Sequence, residues 1–195
     1  MHGSLAMVDK KSLCPEQIEM LDEHLPYRLQ LLDGLCWACS VLDSSLGNSS
    51  LSLSLSGAQV NFPDARPLTN ALAESGILYC RVLLNFLGIH HNNGKFTEYN
   101  PREDDFTIAN LGLQIVTTDK LKSDPPTGNP DDIERACLNM LRSANKAVAH
   151  FTTADARACC NDAACCAKTV MWLIEKYVYR KLGREVPAYK IWTNQ

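Results

Sequence analysis

The fold is decided by one stretch, Pro67-Leu68-Thr69-Asn70-Ala71-Leu72-Ala73-Glu74-Ser75-Gly76-Ile77-Leu78-Tyr79-Cys80-Arg81-Val82-Leu83-Leu84-Asn85-Phe86-Leu87-Gly88. Proline stands where a helix can start and glycine where one naturally stops. Between them Glu74 and Arg81 are the only charged residues, and apolar side chains occupy almost every other direction. A helix that is apolar on most sides belongs at the centre of a bundle. At roughly 100° per residue, seven steps return nearly to the same face. Glu74 and Arg81 therefore share a polar line, with Asn70 and Asn85 close to it. That line faces either an interior polar groove or a narrow strip of solvent, and a buried Glu and Arg would have to pair.

Upstream, Cys14-Pro15 opens a helix whose apolar positions Ile18, Leu21, Leu25, Leu29, Leu32, Leu35 and Cys39 recur at intervals of three and four. Pro26 is expected to kink or split it. Downstream, Asn129-Pro130-Asp131-Asp132 opens another helix with an Asn cap and two early carboxylates, running to about His150. Phe151-Thr152-Thr153-Ala154-Asp155 then caps a last helix to Gly183, with the stripe Cys159, Ala163, Cys166, Val170, Ile174 and Tyr177 as its buried face. The expectation is an all-α protein, an up-and-down bundle of four to five helices forming a single domain over residues 1–195. Residues 89–129 read as a long irregular insertion, mostly loop, because Gly, Pro, Asn and Asp crowd it. Helix and strand stay open for Phe106–Thr118. Ser44–Gly57 reads as a flexible surface loop, although the Leu/Ser alternation of Leu51–Leu55 has the period of a strand. Residues 187–195 read as an irregular tail.

A chain of 195 residues, 46% hydrophobic and 21% charged, can bury a sizeable core and is not globally disordered. No apolar run approaches the ~18–20 residues of a membrane span, so no membrane partner is expected. Met1-His2-Gly3-Ser4-Leu5 has neither a basic nor an apolar leader pattern, so no signal peptide is expected either. The net charge of −3 argues against a chain coated for nucleic acid, and only the segment after residue 153 is mildly basic. Nine cysteines, odd in number and scattered through helical sequence, suit a reducing cytoplasm better than a disulfide framework.

The helix before His150 complements the first. In Arg142-Ser143-Ala144-Asn145-Lys146-Ala147-Val148-Ala149-His150, Arg142 and Lys146 lie opposite the apolar face, while Asn145 and His150 fall on its borders. His150 also stands at the helix C-terminus, where the dipole raises its basicity. The plain reading has His150 capping that end and Asn145 bonding across the bundle. The sharper one is a polar groove made by Glu74, Arg81, Asn145 and His150.

Ala71-Leu72-Ala73-Glu74-Ser75 and Cys80-Arg81-Val82-Leu83-Leu84-Asn85-Phe86-Leu87, taken with Ala144-Asn145-Lys146-Ala147-Val148-Ala149-His150-Phe151-Thr152, resemble a set of uncharacterised bacterial helical proteins similar to the HEPN superfamily. The resemblance implies a helical bundle, a homodimer, and either a metal-independent endoribonuclease or a degenerate relative that binds RNA or nucleotide. Asn145 and His150 carry over. Active members place an Arg a few positions before the His, where this chain has none, and Arg81 is the guanidinium the other helix offers. In that scheme His150 is the general acid or base on the ribose 2′-hydroxyl and leaving oxygen. Arg81, helped by Lys146, stabilises the phosphorane-like transition state. Asn145 orients a phosphate oxygen or the imidazole, Glu74 holds Arg81, and Lys146 and Arg142 bind substrate. No cofactor or metal is called for, and the chain has no GxxxxGK[ST] or GxGxxG loop. The alternative is a non-catalytic helical module for protein interaction or dimerisation.

Other signals read as structural. Cys36-Trp37-Ala38-Cys39 has CxxC spacing but lies mid-helix, and Cys159, Cys160, Cys165 and Cys166 do not converge, so these are small buried residues rather than a metal site. His90-His91 read as solvated loop histidines. Lys176, Arg180 and Arg184 share the end of the last helix, where solvated basic residues suit the dipole.

Overall fold

The computed structural model describes residues 13–43, 49–123, 129–145 and 159–192. Helix α1 (Pro15–Glu19), a π-helical turn (Met20–His24) and α2 (Leu25–Asp43) form one interrupted rod. Pro26 explains the interruption. Within the π-turn the Leu25 N–H reaches back five residues to Met20 O. The same register would send the next amide to Leu21 O, and proline has no N–H to send. The buried Tyr179 hydroxyl donates to that carbonyl instead, at 2.6 Å. A break in the rod is thus closed by the far end of the chain, and burial raises the Tyr179 pKa. Leu21, Leu25, Leu29, Leu32 and Leu35 make the rod's buried stripe, whereas Ile18 is 41% exposed.

Helix α3 (Arg66–Phe86) packs along α2. Gly76 permits that approach, since a Cβ there would collide with the Leu35 side chain. Helix α5 (Pro130–Ser143) starts on the Asn129 cap, whose side chain accepts from Asp131 N–H at 3.0 Å. It packs on α6 (Cys160–Ile174), which continues into a second π-turn (Glu175–Tyr179). The α6 stripe is buried as expected except for Cys159, which precedes the helix and is exposed. No helix among the described residues is long and apolar enough to cross a membrane.

The all-α expectation is overturned. Two antiparallel hairpins accompany the helices: β1 (Leu51–Leu55) with β2 (Ala58–Phe62), and β3 (Ile89–Asn92) with β4 (Lys95–Glu98). The molecule is mixed in content, a helical core with two β-ribbons. The cause is local. Ser56-Gly57 have φ of 48° and 85°, and Asn93-Gly94 have 50° and 79°. Two consecutive residues with positive φ make the tight turn whose twist matches paired strands. The flexible-loop reading therefore fails from Leu51 to Gly57, while residues 44–48 lie outside the described residues. The stretch 89–129, expected to be mostly loop, also holds short elements: after β4 come a 3₁₀ turn (Ile108–Leu111) and α4 (Thr118–Ser123), while residues 124–128 lie outside the described residues. Phe106–Thr118 is neither helix nor strand throughout. Thr107 caps the 3₁₀ turn through Asn110, and Val116 N–H is tied to Leu87 O at 2.9 Å.

Candidate functional site

A cleft of about 650 Å³ lies between the first π-turn, the second half of α3 and the β3–β4 hairpin. That volume suits a small-molecule ligand. π-turns recur at functional sites because they shift side chains out of the regular helical row. Here the rod contributes Met20, Leu25 and Arg28, and α3 contributes Leu78, Arg81, Val82 and Asn85. His90 enters from β3, and Tyr99, Arg102, Asp104, Asp105 and Phe106 close the far side.

Three guanidinium groups therefore face two carboxylates. One carboxylate, Asp105, is already engaged: its Oδ2 accepts from the Tyr99 hydroxyl at 2.5 Å and from Arg102 N–H at 2.7 Å. Those two bonds hold its carboxyl below the usual range, and the first of them pushes the Tyr99 phenol up. Arg28 donates to His24 O at 2.8 Å and lies over the Tyr79 ring at 5.7 Å. Among the described residues, no carboxylate is within ion-pair distance of Arg28, Arg81 or Arg102.

His90 is the titratable centre of the cleft. Its Nδ1 lies 3.1 Å from Asn85 Oδ1, and its ring sits 5.6 Å from that of Tyr99. Burial first, and then the Arg81 charge, depress its pKa. The imidazole is therefore neutral at pH 7. With Asn85 Oδ1 accepting, the proton sits on Nδ1 and Nε2 keeps its lone pair. The cleft thus combines an unpaired guanidinium, a neutral imidazole, and an apolar wall of Leu78, Val82 and Phe106. Such a set can hold an anionic head beside a flat, weakly polar group.

Of the residues singled out from the sequence, Arg81 lies in this cleft, half-buried. Glu74 is exposed two turns away on α3 and makes no ion pair with Arg81. Asn145 is half-buried just beyond the end of α5 and does not line the cleft. Arg142 is exposed on α5, close enough to help depress the His91 pKa after burial has done so. Lys146 and His150 lie outside the described residues.

Arg28, His90, Tyr99 and Arg102 were missed as site residues. The signal for His90 was present in Asn93-Gly94, the strongest short hairpin cue. A hairpin there makes His90 and His91 strand neighbours on opposite faces, one toward Arg81 and one toward Arg142. Cys36, Cys39, Cys80, Cys137 and Cys166 are buried thiols, and burial pushes Cys36 up to about 11. Among the described residues no group of His, Cys, Asp or Glu is arranged to hold a metal. No family model, curated protein or solved structure matches the chain.

Proposed function

We propose that the protein binds a ribose-phosphate unit in the Arg81–His90 cleft, as a HEPN-like RNA- or nucleotide-binding protein that needs no metal. The observation that carries this reading is Arg81: a half-buried guanidinium facing a ligand-sized cleft without a carboxylate partner among the described residues. An arginine kept from its own carboxylates is available to fork onto a phosphate. Arg28 and Arg102 add positive potential at the rim. His90 Nε2 can accept from a ribose hydroxyl, and the wall of Leu78, Val82 and Phe106 can take a base.

The test is fluorescence anisotropy with a labelled single-stranded RNA, competed by a mononucleotide or by inorganic phosphate. Arg81→Ala is expected to weaken binding roughly ten- to a hundredfold, the worth of a charge-assisted hydrogen bond. A folded Arg81→Ala protein with unchanged affinity would sink the proposal. Competition by the mononucleotide identifies a free-nucleotide site; competition only by longer RNA identifies an RNA groove. Ribonuclease activity is the catalytic extension of this reading. It is tested by incubating RNA with the protein in EDTA beside His150→Ala and His90→Ala, and loss of cleavage in one variant names its base.

A further inference from the structure

Two guanidinium groups reach the cleft from different elements. Arg81 stands on α3, and Arg102 on the segment that follows β4. Asp105 first, and then burial, push the Tyr99 phenol up, while the charges of Arg102 and Arg81 both pull it the other way. Both charges therefore bear on one part of the cleft. Neither guanidinium makes an ion pair among the described residues, and Asp105 directs its Oδ2 to the Tyr99 hydroxyl and to the Arg102 backbone N–H instead.

The two ester states of a phosphate meet such a pair differently. A guanidinium fork takes two oxygens of one anion. A phosphodiester inside a strand has two unesterified oxygens and a single negative charge, so a second fork would crowd the oxygens the first already holds. A phosphomonoester has three such oxygens and a charge of about −1.5 to −2 at pH 7, so forks from two walls can share it. The shape of the cleft agrees. The rod, α3 and the β3–β4 hairpin wall it, and residues 99–106 close its far side. A chain end needs one opening, whereas a strand held by an internal phosphate needs two.

We infer that the cleft recognises a terminal phosphomonoester on ribose, held between Arg81 and Arg102, in preference to the phosphodiester of a continuous strand. The preference rests on the ribose-phosphate reading proposed above and adds to it the ester state of the phosphate. Arg102 thereby becomes the residue that sets the choice of ligand, while Arg81 holds either one. A free nucleotide and the phosphorylated end of a strand share this chemistry.

Isothermal titration calorimetry on the full chain compares adenosine 5′-monophosphate with its methyl ester, which keeps base and ribose but carries a diester. The wild type is expected to bind the monophosphate roughly ten- to a hundredfold more tightly, the effect of one further charge-assisted hydrogen bond. Arg102→Gln should largely erase that ratio, whereas Arg81→Ala should weaken both ligands. Arg102 is exposed, and circular dichroism checks that both variants keep the fold. Labelled RNAs ending in a 5′-phosphate, a 3′-phosphate or only hydroxyls separate the sources. Tighter binding of one phosphorylated strand names that end, and binding of the mononucleotide alone names the free form. Equal affinity for monophosphate and methyl ester, with Arg81→Ala weakening both, overturns the inference and leaves the ribose-phosphate reading standing. So does a ratio that survives in folded Arg102→Gln, or hydroxyl-ended RNA that binds as tightly as both phosphorylated strands. Failure of both adenosine ligands and all three RNAs to bind overturns the reading and the inference together.

Discussion

The two hairpins share a turn chemistry and little else. Both close on a pair of residues with positive φ ending in glycine, Ser56-Gly57 in one and Asn93-Gly94 in the other. The β3–β4 hairpin is stitched to the helical core. Ile89 is buried, Tyr99 N–H is bound to Gly88 O at 2.8 Å, and His90 reaches Asn85 on α3. The β1–β2 ribbon is tied at its base, where Ala65 N–H reaches Ser49 O at 3.0 Å, and β2 is exposed along most of its length. The same local code thus makes a structural wall in one place and a projecting surface in the other. What differs is whether a side chain at the strand's start finds a core to enter.

The sharpest way to break this contrast is to remove that side chain. Ile89 is 1% exposed and Val60 is 45% exposed. Ile89→Ala should cost about 2–5 kcal/mol, the transfer and cavity terms of a buried large-to-small change. Val60→Ala should stay within about 0.5 kcal/mol, as surface substitutions do. Urea unfolding of the monomeric protein at low concentration measures both. Equal shifts would mean that the two hairpins are anchored alike.

The turns offer a smaller and more informative comparison. Gly57→Ala and Gly94→Ala each force an L-residue into the left-handed region, at roughly 1–2 kcal/mol. A Cβ meets no neighbour at either position, so the strain is purely conformational. The expected difference is functional. Gly94→Ala disturbs the hairpin that carries His90 and should weaken ligand binding in the cleft severalfold, whereas Gly57→Ala should leave that affinity unchanged. Anisotropy with the same labelled RNA reads the outcome, and equal losses would detach the cleft from the β3–β4 turn.

The helices were legible because their signals are local and redundant. Pro15, the Asn129 cap, and the periodic stripes of α2 and α6 each mark an element without reference to its neighbours. The hairpins were obscured by composition: serine in one and Asn, Gly and His in the other read as loop, although alternation and an Asn-Gly pair were in plain sight. The site was less legible still. Arg81 could be named because it interrupts an apolar helix. Arg28 lies off the apolar stripe of its helix, so nothing in its spacing marks it, and it is the folded chain that places it beside the cleft. Glu74 and Arg81 share a face by periodicity, yet two turns of helix separate them by ~10 Å along the axis, too far for a direct pair. Periodicity gives direction around a helix and says little about reach along it.

Acid provides the finest test of the contrast, because only one hairpin titrates near neutrality. The β3 strand holds His90 and His91, both with pKa depressed by burial and by a neighbouring arginine. The β1–β2 ribbon has no ionisable side chain. A histidine whose folded pKa lies below its unfolded value of about 6.5 binds fewer protons in the folded state. Above that value both states are neutral there and the histidines add no pH dependence. As pH falls below it, the unfolded chain takes up protons first and stability declines, until the folded-state pKa is passed. The double variant His90→Gln, His91→Gln should therefore lose less stability than the wild type between neutrality and mild acid. Urea midpoints across that range measure the slope. The carboxylate of Asp105, held low by Tyr99 and Arg102, affects stability only in stronger acid and does not blur this window. A variant as acid-sensitive as the wild type would place the neutral imidazoles outside the forces that dock β3–β4 onto the core.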